Sequence, residues 1–289
     1  MAVVVTLDGE IRDPGAPLLH ADDLAAVRGD GVFETLLVRD GRACLTEAHL
    51  ARLAHSARLL DLPAPDLSAW RAGIEKAAAE WAAQSPAEGA LRLVYSRGRE
   101  HGASPTAYVT VGALPDRIAA ARRDGIGVVT LERGLPAHGT DAMPWLLAGA
   151  KTLSYAVNMA ALRHAARLGA DDVIFVSTDG YLLEGPRSTV VIAAEVDGRT
   201  TLLTPPPWYP ILRGTTQQAL FDVARDAGYD CDIQPLRPAD LAAAQGIWLV
   251  SAITLGARVH TLDGRRLPAA GAIAAEFGRL VDAAVVNDR

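Results

Sequence analysis

Lysine is nearly absent from this chain. Only Lys76 and Lys151 occur in 289 residues, against 26 arginines. In a chain that uses arginine in place of lysine, a lysine is expected to remain where its chemistry cannot be replaced by arginine. That chemistry belongs to the neutral amine, which acts as nucleophile or base, whereas the guanidinium of arginine stays charged. The surroundings of the two lysines are therefore informative.

Other absences exclude whole classes of protein. Cys44 and Cys231 are the only cysteines and have no metal-ligand spacing, which predicts a cytoplasmic protein without a metal site. No apolar run approaches the roughly 18 residues of a membrane span. The net charge of −6 and the lack of basic clusters argue against nucleic-acid binding. The N-terminus lacks the features of a signal peptide and predicts a strand.

Length and composition predict a globular chain, long enough for two modest domains or one large one. Half of the residues are hydrophobic and 21% are charged, as in proteins that bury a sizeable core. Asp40-Gly41, between two apolar runs, predicts a hairpin. The segment 114–124 is polar, carries Pro115 and lacks a clear strand pattern.

Periodicity and turn residues predict the elements near the residues of interest. Thr46 is predicted to cap a helix with an apolar stripe. A later helix is predicted over 152–168. Residues 172–177 and 181–184 are predicted to form a hairpin, and Gly214 to precede another helix.

Lys151 and Glu184 stand in unusually apolar surroundings. Lys151 follows a small, uncharged run and opens an apolar stretch, and Glu184 lies between two apolar, strand-like runs. A buried amine with a buried carboxylate indicates pyridoxal 5′-phosphate, which needs a Schiff-base lysine and an acidic partner for its pyridinium nitrogen. Taken singly, Lys151 also fits a lysine at a helix end, and Glu184 a carboxylate at a strand end.

Five segments in order resemble the fold type IV family of pyridoxal phosphate enzymes. They are GDGVFET, HLARL, AKTLSYAVN, LLEGPRSTV and ILRGTTQ. The family includes 4-amino-4-deoxychorismate lyases, D-amino acid transaminases and branched-chain aminotransferases. The resemblance covers residues 5–260. It implies an α/β fold with a small N-terminal α/β domain, residues 1–113, and a larger, cofactor-binding C-terminal domain, residues 125–289, containing a mixed sheet or barrel. Members of the family join two such domains by a linker, which the polar segment 114–124 would form here.

The resemblance also implies roles for single residues. Lys151 would hold the cofactor as a Schiff base and later move a proton as a free amine. Glu184 would keep the ring nitrogen protonated. Arg52, which by itself also fits a solvated surface arginine, would bind the cofactor phosphate through its planar fork. Tyr155 would hydrogen-bond the phenolic oxygen of the ring or serve as a core tyrosine.

Thr215 and Thr216 open the helix that is predicted after Gly214. The first turn of a helix presents unpaired N–H groups and the positive end of the dipole, which attract an anion. The two threonine hydroxyls add donors. The pair is therefore predicted to complete a cup for the cofactor phosphate with Arg52, although a simple helix cap also fits.

Two main hypotheses about the substrate follow from the family. The combined motifs resemble the lyases, which eliminate pyruvate from 4-amino-4-deoxychorismate and release 4-aminobenzoate, the folate precursor. Arg99 and His101 match the Arg-x-His pair with which D-amino acid transaminases hold a substrate carboxylate, or they are solvated loop residues. A branched-chain aminotransferase is a third reading.

Two further expectations concern activity and assembly. A binding protein that kept the fold but lost catalysis is the alternative of a different class, and the intact Lys151 and Glu184 argue against it. Members of the family are generally homodimers that act on small molecules, so the resemblance implies a homodimer here.

Overall fold

The computed structural model describes residues 2–286 and divides into two compact units. They are residues 2–115 with Ala150–Tyr155, and Asp116–Gly149 with residues 156–286. The chain thus leaves the first unit, returns to it for six residues that include Lys151, and leaves again. The division predicted from the sequence instead assigned Lys151 to the domain of residues 125–289.

A six-stranded antiparallel sheet forms the centre of the first unit. Its strands are β1 (Ala2–Thr6), β2 (Ile11–Arg12), β3 (Gly31–Arg39), β4 (Arg42–Ala43), β5 (Gly89–Ser96) and β6 (Thr106–Ala113). Across the sheet they are ordered β2-β1-β6-β5-β3-β4. β3 and β5 pair from Gly31 opposite Ser96 to Val38 opposite Gly89. This long pairing holds β3, which carries the GDGVFET motif, firmly in the sheet.

The hairpin predicted at Asp40-Gly41 is confirmed. β3 and β4 are antiparallel around this dipeptide and pair Val38 with Ala43. Asp40 and Gly41 have φ angles of 51° and 74°. A two-residue type I′ turn requires such positive values at both central positions, and aspartate and glycine adopt them more readily than most residues. The local sequence therefore determines this turn.

Three helices belong to the first unit. They are α1 (Leu24–Val27), α2 (Thr46–Leu59) and α3 (Leu67–Gln84). The predicted apolar stripe at and just beyond α2 is confirmed, since its members are buried: Leu50, Leu53, Ala57 and Leu60. The predicted cap is wrong, because Leu45 occupies the N-cap position with a φ of 54° and Thr46 donates to the carbonyl of Ala43. Leu45 is buried, so core packing rather than side-chain capping fixes this turn.

A mixed eight-stranded sheet forms the centre of the second unit. Its strands are β7 (Ile126–Glu132), β8 (Asp172–Val176), β9 (Thr189–Val196), β10 (Arg199–Thr204), β11 (Asp230–Ile233), β12 (Gly246–Ser251), β13 (Leu255–Leu262) and β14 (Arg265–Arg266). The order is β11-β10-β9-β12-β13-β7-β8, with β14 beside β13. β7 runs parallel to β8 and β13, and β10 runs parallel to β11. The predicted α/β fold with a mixed sheet in its larger part is confirmed.

The helices of the second unit correct one prediction. They are α4 (Asp116–Asp124), α5 (Ala156–Arg167), α6 (Thr215–Asp226), α7 (Pro238–Ala243) and α8 (Gly271–Val286). The segment 114–124, predicted to be a linker without a strand, contains α4, which is anchored by buried Ile118. The helix expected over 152–168 begins only at Ala156, because Thr152 and Leu153 pair with a strand. Two 3₁₀ turns, Thr140–Ala142 and Pro144–Leu146, lie between β7 and α5.

The hairpin predicted for 172–177 and 181–184 is confirmed by the hydrogen bonds between its arms. The amide of Phe175 donates to the carbonyl of Glu184, the amide of Leu183 to the carbonyl of Phe175, and the amide of Ser177 to the carbonyl of Tyr181. β8 is a strand, and the second arm is bridged to it at Leu182 and Val176. The outer edge of this arm is bonded to the carbonyl of Leu236 rather than to a further strand. Pro186, just beyond it, cannot donate a ladder hydrogen bond. The arm is therefore extended but is not a full strand.

Apolar side chains hold the second sheet together. One buried cluster consists of Ile126, Val128, Ile174, Leu182, Val190, Ile192, Leu203, Leu236, Leu241, Ile247, Leu249, Ala257 and Val259. Leu182 thus anchors the arm that leads to Glu184. Among residues 2–286, no helix combines the length and apolarity needed to cross a bilayer.

Candidate active site

Lys151 lies on an extended segment beside β3. Its carbonyl accepts a hydrogen bond from the amide of Phe33 at 3.0 Å, and Leu153 donates to the carbonyl of Gly31 at 2.8 Å. The amide of Lys151 donates to the hydroxyl of Ser56, on α2, at 3.1 Å. Strand pairing and a helix hydroxyl therefore fix the backbone of Lys151 on both sides.

The amine of Lys151 lies against two aromatic rings. Its Nζ is 4.4 Å from the ring centroid of Phe33 and 5.7 Å from that of Tyr155. These rings meet edge to face with centroids 5.3 Å apart. The other lysine, Lys76, is exposed and donates to the carbonyl of Gly9. Lys151 is half-buried. Its amine is therefore constrained by the neighbouring rings, whereas the amine of Lys76 lies at the surface.

Arg52 is bound by a buried carboxylate. Its Nε and Nη2 donate to the two carboxylate oxygens of Glu34 at 2.8 and 2.7 Å. The Nδ1 atom of His49 lies 2.7 Å from the same carboxylate. The side chain of Arg52 is 11% exposed and that of Glu34 fully buried, so Arg52 is not the solvated surface arginine that the sequence also allowed.

The ionisation states in this cluster follow from burial and charge. Burial by itself would raise the pKa of Glu34, but the charge and hydrogen bonds of Arg52 and the hydrogen bond with His49 lower it well below its usual range. Burial lowers the pKa of His49 and, with the charges of Arg52 and Lys151, outweighs the hydrogen bond and charge of Glu34, which act to raise it. The cluster therefore holds one carboxylate, one guanidinium and a neutral imidazole at neutral pH.

The loop that carries Arg99 and His101 is tied to Asp22 and Asp23. Arg99 Nε donates to the carboxylate of Asp22 at 2.9 Å, and this hydrogen bond lowers the pKa of Asp22. Asp23 is buried and accepts from Ser96 Oγ at 3.0 Å. Asp23 also accepts from the hydroxyl of Thr106 at 2.5 Å and the amide of Ala25 at 2.9 Å. His101 itself is exposed, so the loop is anchored at its base while its charged side chains face solvent.

Glu184 lies in the second unit, beside the segment that leads into α6. Its Oε2 accepts a hydrogen bond from the amide of Leu212 at 3.1 Å, and its carbonyl accepts one from the amide of Phe175 at 2.9 Å. Thr215, three residues after Leu212, is the first residue of α6. Within the second unit, the carboxylate of Glu184 is therefore bonded to a residue that lies three positions before the predicted anion site at the start of α6.

The N-terminus of α6 has the features of an anion site. Thr215 and Thr216 are buried, and Thr216 Oγ1 is a buried hydroxyl without a hydrogen-bond partner among the described residues. Gly214 occupies the N-cap and makes no side-chain capping bond. A Cβ on Gly214 would lie 2.2 Å from Thr189 Oγ1, so no larger residue fits there. The backbone amides and the unsatisfied hydroxyl suit a phosphate group.

Each unit by itself carries groups of the kind that pyridoxal phosphate requires. In the first unit, Lys151 is an amine of the kind that binds an aldehyde, and Arg52 is a guanidinium of the kind that binds a phosphate. In the second unit, Glu184 is a carboxylate of the kind that pairs with a ring nitrogen, and the start of α6 has donors of the kind that bind a phosphate. The hydroxyl of Thr216 is the most telling, because a buried hydroxyl with no partner is unfavourable until a ligand satisfies it. Among the residues described, no group of three or more His, Cys, Asp or Glu side chains is placed to hold a metal.

Sequence reasoning missed Glu34 and His49. From Val32 to Leu36 in β3, buried residues alternate with half-buried ones, and Glu34 falls in phase with the two buried ends. A carboxylate in a buried phase requires a charged or hydrogen-bonding partner. His49 and Arg52, three residues apart on one helix face, are such partners and were visible in the sequence.

Comparison with known proteins agrees with this site chemistry. The family described as Amino-transferase class IV matches residues 31–262. A protein of Mycobacterium tuberculosis (strain ATCC 25618 / H37Rv), named bifunctional aminodeoxychorismate lyase / D-amino acid transaminase, is 72% identical over 290 residues. That match covers 99% of this chain and 100% of the relative.

Two solved structures of a hypothetical aminotransferase from Mycobacterium tuberculosis are also similar to this chain. One is a PLP-bound form and the other an alpha-ketoglutarate and PMP bound form. Each has a TM-score of 0.96 and 72% identity, and each match covers 99% of this chain and 100% of the other. With the family match over most of its length, the chain belongs to the class IV aminotransferases, an enzyme family that uses pyridoxal phosphate.

Proposed function

We propose that the chain is a pyridoxal phosphate-dependent 4-amino-4-deoxychorismate lyase, which eliminates pyruvate and releases 4-aminobenzoate for folate synthesis in the cytoplasm. The observation that carries this proposal is the 72% identity, over 99% of the chain, to a relative named for that lyase activity. The likeness of its motifs to those of lyases supports the same choice. The elimination leaves an aromatic ring, and the stability of that ring drives the reaction forward.

The cofactor would be held at three points. The amine of Lys151 would bind its aldehyde carbon, and the carboxylate of Glu184 would keep its ring nitrogen protonated. Arg52, with Thr215 and Thr216 at the start of α6, would bind its phosphate. When bound, the cofactor supplies an electron sink for the charge that is left when a proton leaves the amine-bearing carbon.

Lys151 would also move the proton. Once the substrate amine has displaced it, its Nζ becomes a free amine that can accept the proton from the amine-bearing carbon. The rings of Phe33 and Tyr155 restrict where that amine can lie, and the bonds to Phe33 and Ser56 fix its backbone. A positioned base raises the rate because its orientation is set before the reaction begins. Tyr155 would in addition hydrogen-bond the phenolic oxygen of the cofactor.

D-amino acid transamination is the second candidate, and specific observations favour it. The M. tuberculosis relative is named for both activities, and one similar structure contains alpha-ketoglutarate and PMP, which suit a transaminase. Arg99 and His101 would hold the substrate carboxylate. The ion pair between Arg99 and Asp22 is exposed on both sides, and such pairs contribute little free energy, so a substrate carboxylate would replace Asp22 easily.

One pair of assays tests both candidates. The purified, cofactor-loaded protein is incubated with 4-amino-4-deoxychorismate, and separately with D-alanine plus 2-oxoglutarate. The products measured are 4-aminobenzoate and D-glutamate, because pyruvate arises in both reactions. We expect 4-aminobenzoate from the wild type and none from Lys151→Ala. D-glutamate without 4-aminobenzoate would refute the lyase proposal in favour of the transaminase. Light scattering would test the expected homodimer.

A further inference from the structure

We propose that Glu34 is a positioning residue, which orients the guanidinium of Arg52 for the phosphate of the cofactor. This inference rests on the proposed role of Arg52 in cofactor binding. It assigns a function to a buried carboxylate that the reaction itself does not use. Glu34 would act through Arg52 and would touch neither substrate nor cofactor.

The contact between the two residues fixes direction as well as distance. Two parallel hydrogen bonds, from Nε and Nη2 of Arg52 to the two oxygens of Glu34, hold the guanidinium in the plane of the carboxylate. A guanidinium has five N–H donors in a rigid fork. A bidentate partner on one edge therefore determines where the other edge points.

The pair lies on a paired strand and on a helix with a buried face. Glu34 lies within the eight-residue pairing of β3 with β5 and is opposite Leu93. Arg52 and His49 lie one turn apart on α2, which is anchored by its buried leucines. Nδ1 of His49 lies against the same carboxylate as Arg52, so Glu34 is itself held on a second side. Side chains mounted on packed elements hold their geometry better than side chains on loops.

Because Glu34 is buried, its charge and that of Arg52 depend on one another. Glu34 is fully buried, and a buried carboxylate remains ionised only with a cation or several donors beside it. Arg52 supplies both, which is why the pKa of Glu34 is lowered despite burial. Each member therefore depends on the other. Without the carboxylate, the side chain of Arg52 would populate several orientations. Phosphate binding would then have to order it, which costs free energy of binding.

The negative charge of Glu34 would itself weaken phosphate binding, opposite to the effect of orienting Arg52. The proposal therefore predicts the direction in which cofactor affinity changes when the charge is removed. A carboxylate beside Arg52 reduces the attraction of the guanidinium for a phosphate dianion. If that effect dominated, removal of the charge would tighten cofactor binding. We expect the loss of orientation to dominate, so that removal of the charge weakens binding.

The test compares two ligands that differ only in the phosphate. Dissociation constants of the apoprotein are measured for pyridoxal phosphate and for pyridoxal, with Glu34→Gln and the wild type. We expect Glu34→Gln to weaken binding of pyridoxal phosphate by about tenfold or more, the effect of one charged hydrogen bond, and to leave pyridoxal unchanged. Inorganic phosphate should also raise the melting temperature of this variant less than that of the wild type.

Matched variants separate the outcomes. Glu47 also lies on α2, where it forms an exposed ion pair with Arg71 of α3. Glu47→Gln removes this pair and should change neither dissociation constant. Equal weakening of both ligands in Glu34→Gln would indicate a purely structural role, and tighter or unchanged pyridoxal phosphate binding would show that orientation does not dominate. Either result overturns the proposal. If Glu34→Gln does not fold, Glu34→Asp, which keeps the charge but shortens the reach, is measured in the same way, and an unchanged ratio of the two constants overturns it.

Arg52→Ala distinguishes this inference from the function on which it rests. If Arg52→Ala weakens pyridoxal phosphate but not pyridoxal, Arg52 binds the phosphate, and the result with Glu34→Gln decides the role of Glu34. In the double variant, the Glu34 change should then add little. If Arg52→Ala changes neither constant, the assignment of Arg52 fails and the positioning proposal fails with it. The wild-type product assays decide the lyase proposal independently of both.

Discussion

Phe33 contacts Lys151 twice, once through the backbone and once through the side chain. The Phe33 amide donates to the Lys151 carbonyl at 3.0 Å, and its ring centroid lies 4.4 Å from the Lys151 amine. Lys151 is the only lysine in the described residues with an aromatic ring at its amine, since Lys76 bonds to a carbonyl on the surface. The chain therefore offers its own control for a lysine-specific reaction.

Covalent attachment should distinguish the two lysines. After the cofactor is added and the protein is reduced with borohydride, we expect mass spectrometry of its peptides to find the cofactor on Lys151. Lys151→Ala should abolish the adduct because no other constrained amine is available in the described chain. Lys76→Ala should leave it unchanged. An adduct on any other residue would remove the basis of the proposed function.

Glu184→Gln should separate cofactor binding from turnover. Glutamine keeps the shape and still accepts the hydrogen bond from Leu212, but it lacks the charge that would hold a proton on the ring nitrogen. We expect the variant still to bind the cofactor and its turnover to fall by about a thousandfold, which corresponds to about 4 kcal/mol of barrier. Glu195→Gln, an exposed glutamate of β9, should have no effect. Near-normal turnover in Glu184→Gln would mean that Glu184 is only the carboxylate at the end of its arm.

Thr216→Val should stabilise the apoprotein while weakening cofactor binding. The substitution removes a buried hydroxyl with no partner among the described residues, and we expect the free energy of unfolding to rise by roughly 1 kcal/mol. The same hydroxyl would be a donor to the phosphate, so cofactor affinity should fall about tenfold. Urea unfolding and a cofactor titration measure the two effects.

Thr204→Val is the matched control for Thr216→Val. Thr204 is also buried, but its hydroxyl donates to the carbonyl of Val190 at 2.7 Å. Its removal should therefore destabilise the protein by about 1 kcal/mol and leave cofactor affinity unchanged. If both variants behaved alike, the hydroxyl of Thr216 would have no special relation to the phosphate.

Asp23→Asn should loosen the loop that carries Arg99. Asp23 accepts hydrogen bonds from Ser96, Thr106 and Ala25, and an asparagine amide cannot accept all three. Donors to a buried charged acceptor contribute more than neutral pairs, so we expect a loss of roughly 2–3 kcal/mol in the free energy of unfolding. Hydrogen exchange should rise over residues 97–102. Asp222→Asn, which removes an exposed ion pair with Arg225 on α6, gives the control, and an equal loss of stability in that variant would contradict the anchoring role.

Local signals in the sequence predicted the elements that depend on local interactions. Asp40-Gly41 determines its own turn, and the apolar stripe of α2 determines the face that it buries. The start of α6 at Thr215 was predicted because Gly214 and two threonines form a helix N-terminus by themselves. The residue types of the motifs were sufficient to indicate the cofactor.

Predictions failed where distant parts of the chain decide the structure. The residues after Lys151 have a helical pattern, yet Thr152 and Leu153 are extended because β3, more than 100 residues earlier, takes up their hydrogen bonds. Arg52 lies off the apolar stripe of its helix, and only the buried carboxylate of Glu34 shows that it is not solvated. A periodicity argument treats each element alone, so it has no access to partners of this kind.

The return of Ala150–Tyr155 to the first unit limits how the protein can be divided. A fragment that ends near Pro115 would contain β3 but not the segment that satisfies the backbone of Gly31 and Phe33, and it would lack Lys151. A fragment that begins at Asp116 would carry that segment without its pairing strand. Neither half is therefore a natural module for recombination, and a functional split of this gene would have to supply the lysine segment to the N-terminal piece as a separate peptide.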